Sequence, residues 1–371
     1  MRVLVWQWGR FGSGPRFAVQ LAEGLTELPG IDVSLSMARG AEILRDSPAI
    51  HCELVVDTYA GLAGFLWRLA TVPFGVAALA RRVAALRPDI AICALPGPLD
   101  LLMAAALRRL RIPFVVLVHD ADAHPGDGFP LQMWLQRRLC VRANAIGALT
   151  THVGDRLVAQ KLAGTPGRTL IRLTHPPMHY AFAPRHAFAP RQTEAGTFRL
   201  LSFGRLLPYK GLDLLADSLR GLGPRPGLVV RVVGAGPESR ELAALRALPG
   251  VTVENRWVPE NEVGALFGWA DAVVLPYREA SQSGVAAVAL AAHRYVVATN
   301  VGGLTEQLRD EPMAILCDPD AASLTAGLRR VLERAPCDTP VTAAEPAAGW
   351  REMARSLLDQ ISAMGIGGPA G

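Results

Sequence analysis

The chain has 371 residues, more than a single hydrophobic core usually supports, so its length predicts two domains. Half of the residues are apolar and only 19% are charged, which excludes an intrinsically disordered protein. The five cysteines form no CxxC pair, and the chain opens on "MRVLVWQWGR" without a secretory signal; both features favour a reduced, cytoplasmic setting.

Positive charge is concentrated in the first half of the chain. Residues 1–195 contain 21 Arg and Lys against 14 Asp and Glu, a net charge of +7. The remaining residues contain 17 against 19, a net charge of −2. We therefore expect the first half to face an anionic partner or surface.

Apolar runs of strand length alternate with segments of helical period through the first half. The predicted strands are "RVLVW", "IDVSLS", "DIAICAL", "PFVVLVHD" and "NAIGALT", and helices such as "GPRFAVQLAEGL" lie between them. This pattern is typical of a parallel sheet covered by helices on both faces, that is, a doubly wound α/β domain.

One long apolar run, residues 61–80, differs in length from the predicted strands and helices. It is nearly long enough to cross a bilayer, but Arg68 and Pro73 interrupt it. A buried or membrane-skimming segment is favoured over a spanning helix. In the membrane-skimming arrangement, the residues at the lipid headgroups are Trp67, Arg68, Arg81 and Arg82.

The alternation stops at residues 180–198, where "AFAPR" occurs twice, and resumes with six further predicted strands: "RLLSFGR", "LVVRVVG", "VTVEN", "DAVVLPY", "YVVATN" and "MAILCD". A second doubly wound domain is therefore predicted, with the ligand at the carboxyl ends of the strands. A final helix, "GWREMARSLLDQISAM", is expected to return to the first domain and bury its apolar stripe there. The predicted segments are a first domain over 1–185, a linker over 186–197, a second domain over 198–340 and the final helix within 341–371.

Two loops of the first domain carry candidate chemistry. "GRFGSG" follows the first strand, where Gly12 and Gly14 would let backbone N–H groups meet a phosphate. Its spacing is not G-x-G-x-x-G, and no acid follows the second strand, which disfavours a nicotinamide-dependent oxidoreductase. "VHDADAHPG" ends a later strand with four polar residues: His119, Asp120, Asp122 and His124. Histidine as a hydrogen-bond donor or proton relay is favoured there over a metal site, because no second cluster completes a coordination shell.

The second domain has three polar loops at predicted strand ends. "FGRLLPYKG" contains Arg205 and Lys210, one of only two lysines in the chain, and the pair is suited to a diphosphate. "VVGAGPE" places Gly234 and Gly236 in a tight turn or beside a ligand. "PYREASQSGVAAVAL" precedes an apolar helix, and the start of a helix with small residues favours an anion. Its polar residues are Glu279, Ser281, Gln282 and Ser283, followed by Gly284.

These loops and "NVGGLTE" stand in the order seen in retaining glycosyltransferases of family 4, which the chain resembles most specifically over residues 198–310. The resemblance implies the glycosyltransferase-B fold, two Rossmann-like domains with an interdomain cleft. It implies a nucleotide-sugar donor and neither a metal nor a cofactor. The implied catalytic residues are Glu279, His119, Arg205 and Lys210. The implied donor-binding residues are Gly12, Gly14, Arg205, Lys210, Gly234, Gly236, Trp257, Glu279, Ser281, Gln282, Ser283, Gly284 and Val285.

One position departs from the family pattern. The family usually has a second glutamate, which holds the nucleotide ribose, eight residues after the first. Here that position is Ala287. Ribose binding must then come from other residues, and the donor base becomes harder to infer.

The sequence thus predicts a retaining hexosyltransferase that uses a UDP- or GDP-sugar. Its acceptor is expected to be a glycan or a lipid-linked sugar, in cell-surface polysaccharide or glycolipid biosynthesis. We expect a cytoplasmic protein with peripheral contact at the inner, anionic face of the plasma membrane, and no nucleic-acid partner. The alternative is a non-catalytic relative that binds a nucleotide or glycan as a partner subunit, which Ala287 supports.

Overall fold

The computed structural model describes residues 1–47, 49–59, 61, 64, 72–126, 131–180, 197–334 and 344–366. The chain forms two compact units. Unit 1 comprises Met1–Asp122, Gly128–Pro176 and Ala347–Gly371, and unit 2 comprises Ala123–Asp127 and Pro177–Pro346. The predicted linker lies outside the described residues except for Thr197, and so do Trp67 and Arg68 of the apolar run.

Unit 1 is built on seven strands: β1 (Arg2–Gln7), β2 (Asp32–Ala38), β3 (Leu54–Val56), β4 (Ile90–Ala94), β5 (Phe114–Val118), β6 (Ala145–Ala148) and β7 (Thr169–Arg172). Its helices are α1 (Ser13–Thr26), α2 (Glu42–Asp46), α3 (Val72–Leu86), α4 (Asp100–Arg109), α5 (Gln132–Cys140) and α6 (Thr151–Ala159), joined by most of the final helix α13 (Ala344–Ala363).

The seven strands form one parallel sheet in the order β3-β2-β1-β4-β5-β6-β7. Every residue of β4, β5 and β6 is buried. These strands read as continuous apolar runs because helices cover both faces of the sheet. The predicted doubly wound domain is confirmed, and the sequence analysis missed only the two short edge strands, β3 and β7.

The final helix packs within unit 1 through aromatic and polar contacts. The ring centroids of Trp350 and of Phe17 in α1 lie 5.0 Å apart, in an edge-to-face arrangement. The Gln360 side chain hydrogen bonds to both the N–H and the carbonyl of Arg172, at 3.2 and 3.0 Å. The helix therefore covers α1 with its apolar stripe and pairs the backbone at the edge strand β7 with its polar face.

Unit 2 has six strands: β8 (Phe198–Phe203), β9 (Leu228–Gly234), β10 (Val251–Asn255), β11 (Ala272–Leu275), β12 (Tyr295–Thr299) and β13 (Ala314–Cys317). Its helices are α7 (Leu212–Leu222), α8 (Arg240–Arg246), α9 (Glu260–Trp269), α10 (Gly284–Ala291), α11 (Gly302–Leu308) and α12 (Ala321–Leu332), and a 3-10 turn spans Pro208–Lys210.

The strands of unit 2 also form one parallel sheet, in the order β10-β9-β8-β11-β12-β13. The order reverses between β8 and β11, and α/β proteins bind their ligands at such a switch point, beyond the carboxyl ends of the strands. The second predicted doubly wound domain is confirmed as well. In the part of the chain that the structure describes, no helix has the length and apolar character needed to cross a membrane.

Unit 1 buries one carboxyl group completely. Oδ2 of Asp100 accepts hydrogen bonds from the Gly97 N–H at 2.6 Å and from the Cys93 thiol at 3.3 Å. Burial disfavours the charged form and raises the pKa of Asp100 to about 6, although the Gly97 hydrogen bond opposes this shift. The carboxyl is therefore a pH-dependent element of the unit 1 core.

We expect Asp100 to make unit 1 less stable as pH rises from 4 to 6. The unfolded chain ionises Asp100 near 3.8 and the folded chain near 6, so the folded state holds more protons in this window. The free energy of unfolding should then fall by up to about 3 kcal/mol across it. Denaturant titrations at several pH values should show that Asp100→Asn removes this decrease.

The comparison must be between the wild type and Asp100→Asn, because His175 contributes a slope of the opposite sign. Burial lowers the pKa of His175 to about 4, so its contribution to stability is present above 6.5 and is lost as pH falls. If the unfolding free energy changes with pH equally in the two proteins, the raised pKa of Asp100 in the folded state is contradicted.

Candidate functional site

The candidate site lies at the switch point of the unit 2 sheet. Residues 204–211 follow β8 and residues 276–283 follow β11, and these two strands are neighbours. Both loops therefore leave the sheet at the same edge. They hold the charged and polar residues that the sequence singled out.

The two loops are joined by a backbone contact that only glycine permits. Gly211 has φ +67°, and a Cβ built on it would lie 1.8 Å from the Pro276 carbonyl oxygen. Beside this contact, the Arg278 N–H donates to the Tyr209 carbonyl at 2.8 Å. The end of the β8 loop is thus fixed directly against the start of the β11 loop.

This contact places Lys210 over an aromatic ring. Its Nζ lies 3.8 Å from the centroid of Tyr277 and 4.9 Å from that of Tyr209. Within the described residues no carboxylate lies within 4 Å of Nζ. Arg205 is exposed and donates to the Tyr209 hydroxyl at 3.2 Å. The site therefore presents a positive charge that cation–π contacts position and no acid neutralises.

The β11 loop ends in a capped helix with two available donors. The Ser283 hydroxyl accepts from the Ala286 N–H at 3.1 Å and caps α10. The Ser283 N–H donates to the Gln307 side chain at 3.0 Å, so it is already occupied. Among the described residues, the N–H groups of Gly284 and Val285 have no acceptor. These two N–H groups and the helix dipole favour an anion.

Tyr277 connects the lysine to the helix start. Its ring lies under Lys210, and its hydroxyl is 3.4 Å from the Ser283 hydroxyl oxygen. One buried side chain therefore contacts both the free cation and the residue that caps α10. The two anion-binding features converge on the same place.

Gln282 provides an unusual polar group in the same loop. Its side chain is 4% exposed, yet neither its Nε2 nor its Oε1 has a partner in the described part of the chain. A buried amide without a partner is costly, so native proteins rarely keep one without a reason. A ligand with hydroxyl groups would satisfy both atoms.

Glu279 is held by a histidine from a distant part of the sequence. His124 belongs to unit 2, where its ring stacks on Tyr209 with centroids 4.7 Å apart and planes at 14°. Its Nδ1 lies 3.3 Å from Oε1 of Glu279, and its Nε2 lies 3.5 Å from the Ser281 hydroxyl. The Glu279 side chain remains about half exposed, at 49%. The acid is therefore oriented but still accessible to a ligand.

The polar residues of "VHDADAHPG" do not gather around a common point. Nδ1 of His119 lies 2.7 Å from Oδ2 of Asp120, while Asp122 pairs with Arg156 at 2.7 Å. His124 contacts Glu279 instead. Across the residues that the structure describes, no group of three or more His, Cys, Asp or Glu could hold a metal ion.

The glycines of "VVGAGPE" pack against protein backbone. A Cβ on Gly234 would lie 1.7 Å from the Gly204 carbonyl oxygen, and one on Gly236 would lie 2.2 Å from that of Leu206. The Leu206 N–H also donates to the Ala235 carbonyl at 2.9 Å. Packing between the β8 and β9 loops therefore accounts for both glycines, and their predicted contact with the donor stays a prediction.

Three further predicted residues belong to other loops of the chain. In unit 1, Gly12 has φ +80° and open space around it, whereas the space beside Gly14 is filled by the Gln7 amide, 2.7 Å from a built Cβ. In unit 2, Trp257 follows β10 with 46% of its surface exposed. The structure gives none of the three a contact that identifies a ligand.

Ala287 is fully buried in α10, and its carbonyl accepts from the Met178 N–H at 2.9 Å. No carboxylate can therefore be supplied from this position. Sequence reasoning also missed the contributions of Tyr209, Tyr277 and Gln307. Tyr209 and Tyr277 stand inside quoted motifs and Gln307 directly follows one, but their roles depend on contacts between loops.

Two parallel six- and seven-stranded sheets, with an anion-suited pair of loops at the switch point of one, define the glycosyltransferase-B class of fold. Residues 14–169 match the family model described as Glycosyltransferase Family 4, and residues 197–334 match the model described as Glycosyl transferases group 1. The chain belongs to this glycosyltransferase family, and the resemblance stated from its motifs is confirmed.

Among curated relatives, glycogen synthase of Mycobacterium tuberculosis is 29% identical over 262 residues, which are 67% of this chain and 60% of that protein. D-inositol 3-phosphate glycosyltransferase of an Arthrobacter species is 33% identical over 196 residues, 49% of this chain and 46% of that protein. The matches thus span about half to three fifths of these relatives.

Among solved structures, Anabaena HepE in complex with UDP-glucose superimposes with a TM-score of 0.66 and 18% identity. The match covers 98% of this chain and 99% of that one. At this identity the likeness establishes the fold and nothing finer.

We expect Gly211→Ala to destabilise unit 2 by more than the cost of placing alanine in the left-handed region. Alanine in the left-handed region costs about 1–2 kcal/mol, and the clash with the Pro276 carbonyl adds a further ~1–3 kcal/mol. Gly223→Ala shows the effect of conformation without a clash, because Gly223 has φ +73° and ψ 173° but no atom within 4 Å of a built Cβ. A loss of no more than about 1–2 kcal/mol in Gly211→Ala, the cost of conformation alone, would contradict the loop contact.

Proposed function

We propose that this protein transfers a hexose from a nucleoside-diphosphate sugar to an acceptor, with retention of anomeric configuration. The observation that carries the proposal is the convergence at the unit 2 switch point of Lys210, which has no acid partner, with the free N–H groups of Gly284 and Val285. Membership of the glycosyltransferase family supports it.

The leaving diphosphate is the group that this site suits. Negative charge grows on its oxygens as the sugar–phosphate bond breaks, and a positioned cation lowers the energy of that state most. Lys210 supplies a compact charge, Arg205 supplies a planar fork, and the start of α10 supplies backbone donors. Folding already positions Lys210, because the Gly211 contact and the Tyr277 ring hold it in place before any ligand binds.

The sugar is assigned to Glu279 and Gln282. Glu279 is oriented by His124 yet half exposed, so its carboxylate can accept bonds from sugar hydroxyls. Gln282 has an unused donor and an unused acceptor. His119, which the family resemblance assigns to the sugar or acceptor, lies in unit 1 and is a quarter exposed, at 26%.

The solved relatives suggest the donor, and the distribution of charge along the chain suggests the acceptor. The solved relative HepE binds UDP-glucose, which supports a UDP-sugar, with a GDP-sugar as the alternative. The positive first half of the chain favours an acceptor that carries phosphate, such as a lipid-linked glycan. A thermal-shift screen of UDP-, GDP- and ADP-sugars identifies the base directly.

Metal independence is part of the proposal, because Lys210 and Arg205 supply the positive charge that a divalent ion would otherwise bring. Turnover should persist in excess chelator. Complete loss on chelation, with recovery in Mg²⁺ or Mn²⁺, would contradict it.

A second function, binding without catalysis, is favoured by one observation. Ala287 stands buried where the family usually has the ribose-binding glutamate. Incubation with labelled nucleotide sugars separates the two functions, since tight binding without transfer or slow hydrolysis would identify a non-catalytic subunit.

Substitution of Lys210 tests the positive charge of the site. Lys210→Ala should lower kcat by about two orders of magnitude or more, because its charge acts when the diphosphate leaves. Lys210→Arg should recover only part of the rate, since the broad guanidinium cannot occupy the same point over Tyr277. Initial rates with saturating donor give the comparison.

The other lysine, Lys161, provides a matched control. It is exposed at the end of α6 in unit 1, so Lys161→Ala should leave the rate unchanged. Full turnover in Lys210→Ala, together with inactivity in Arg205→Ala, would show that Lys210 is only a solvated loop residue.

Substitution of His124 tests the orientation of Glu279. His124→Phe keeps an aromatic ring on Tyr209 but removes the polar contacts with Glu279 and Ser281. The dissociation constant for a nucleotide sugar should rise about tenfold, the cost of one lost charge-assisted hydrogen bond. The constant for the bare nucleoside diphosphate should change less than about twofold, because Glu279 serves the sugar and not the phosphates.

Calorimetric titrations with both ligands measure this difference. His152→Phe, a change at an exposed histidine of α6, is the control and should affect neither ligand. Equal weakening of both ligands by His124→Phe would assign His124 a purely structural role.

A further inference from the structure

One face of α5 in unit 1 is apolar and exposed. Leu131, Trp134 and Val141 are 55%, 51% and 55% exposed. With Arg138 they occupy helical positions i, i+3, i+7 and i+10, a single stripe along the helix and its flanking residues. The opposite face is buried in the unit through Leu135, Leu139 and Cys140.

The same face carries three arginines outside any ion pair in the described residues, although the Asp122 carboxylate attracts Arg137 at longer range. Arg137, Arg138 and Arg142 are exposed, and within the described residues none has a carboxylate within 4 Å. The guanidinium of Arg138 lies 5.0 Å over the Trp134 ring, and Arg142 donates to the Arg138 carbonyl at 2.8 Å. From residue 128 to residue 154 the sequence contains no Asp or Glu.

Ordinary helix chemistry explains part of this surface. Arginines in the last turn complement the helix dipole, so Arg137 and Arg138 need no partner on that account. Single exposed apolar residues are also normal. Three of the seven exposed large apolar side chains in the described chain nevertheless lie on this one helix and its flanks, beside the arginines. The combination requires a further explanation.

We propose that the α5 face, defined as Leu131, Trp134, Arg137, Arg138, Val141 and Arg142, docks on an anionic lipid bilayer. Tryptophan and arginine are amphipathic and suit the boundary between headgroups and acyl chains. Acidic headgroups complement the three unpaired guanidinium groups. This inference does not depend on the proposed transferase activity.

A bilayer fits the α5 face better than a protein partner does. Three apolar side chains that are each about half exposed offer on the order of 300 Å² of apolar surface, since a large side chain carries roughly 150–250 Å². A stable protein interface needs about 800 Å² from each partner. A lipid surface needs only a few inserted side chains and nearby cations.

The α5 face shares no residue with the membrane patch that the sequence predicts at residues 61–80. Trp67 and Arg68 of that patch lie outside the described residues. Of its described arginines, Arg82 donates to the Val55 carbonyl at 2.7 Å. The two surfaces can therefore be tested independently.

The test is sedimentation of the full chain with vesicles of 70% phosphatidylcholine and 30% phosphatidylglycerol, without nucleotide sugar. Binding should weaken with salt and should be much lower on pure phosphatidylcholine. Each arginine contributes roughly fivefold to partitioning onto such a surface. Changing Arg137, Arg138 and Arg142 to Glu should therefore reduce the partition constant at least about a hundredfold.

The matched control makes the same change of charge in unit 2. Arg225, Arg329 and Arg330 are exposed, and their replacement by Glu should reduce binding far less. Binding of a nucleoside diphosphate, with an unchanged thermal unfolding midpoint, verifies that both triple variants are folded. This control also separates failure of the membrane inference from failure of the proposed donor site.

A measurement on the folded wild type covers the case in which the triple variant does not fold. Trp134 should be quenched by lipids brominated on the acyl chains. Because the chain has seven tryptophans, the readout is the quenching lost in Trp134→Phe. Equal binding by the two triple variants, or quenching unchanged in Trp134→Phe, would overturn the proposal. So would a dimer in solution that the α5 triple variant dissociates, since the face would then join two copies of the chain.

Discussion

The site depends on one backbone contact, the approach of Gly211 to the Pro276 carbonyl. It joins the loop after β8 to the loop after β11, two strands that are neighbours in the sheet but 69 residues apart at Phe203 and Ala272. No side chain can stand between the two loops. The contact therefore brings a lysine onto a tyrosine ring and sets that tyrosine against the cap of α10, so that one glycine determines the position of a charge, a ring and a helix start.

The rest of unit 2 supports this arrangement by hydrogen bonds that leave selected groups unused. Gln307 occupies both the N–H and the carbonyl of Ser283, at 3.0 and 3.1 Å, and so fixes the loop without filling its centre. Asp213 pairs with Arg278, which removes that arginine from competition with Lys210 for an anion. Because Gln307 and Asp213 pair with their neighbours, Lys210 and the N–H groups of Gly284 and Val285 are the groups left available to an anion. Preorganisation of this kind lets a site stabilise developing charge without rearrangement.

Most of the fold and part of the site could be predicted from the sequence. Long apolar runs such as "PFVVLVHD" determine buried parallel strands by composition alone, whereas β3 and β7, with three and four residues at the sheet edges, are too short to stand out. Arg205 and Lys210 were singled out because charge at strand ends is a local signal, and Glu279 was singled out through the family resemblance. The place of His124 in unit 2 could not be predicted, because it depends on a contact across 155 residues of sequence. Gly234 and Gly236 show the converse limit, since a glycine needed by a neighbouring carbonyl looks the same in sequence as one needed by a ligand.

In the proposed transferase, the buried amide of Gln282 would bear on which sugars the site distinguishes. A pocket that merely fits a hydroxyl tolerates its absence, but a pocket that holds an unpaired amide does not, because a deoxy analogue would seal that amide away from both water and ligand. Selectivity of this kind comes from the penalty imposed on the wrong ligand and not from extra affinity for the right one. Under that proposal a single glutamine would separate two sugars of nearly identical shape, and its unpaired amide would lower the stability of the free protein.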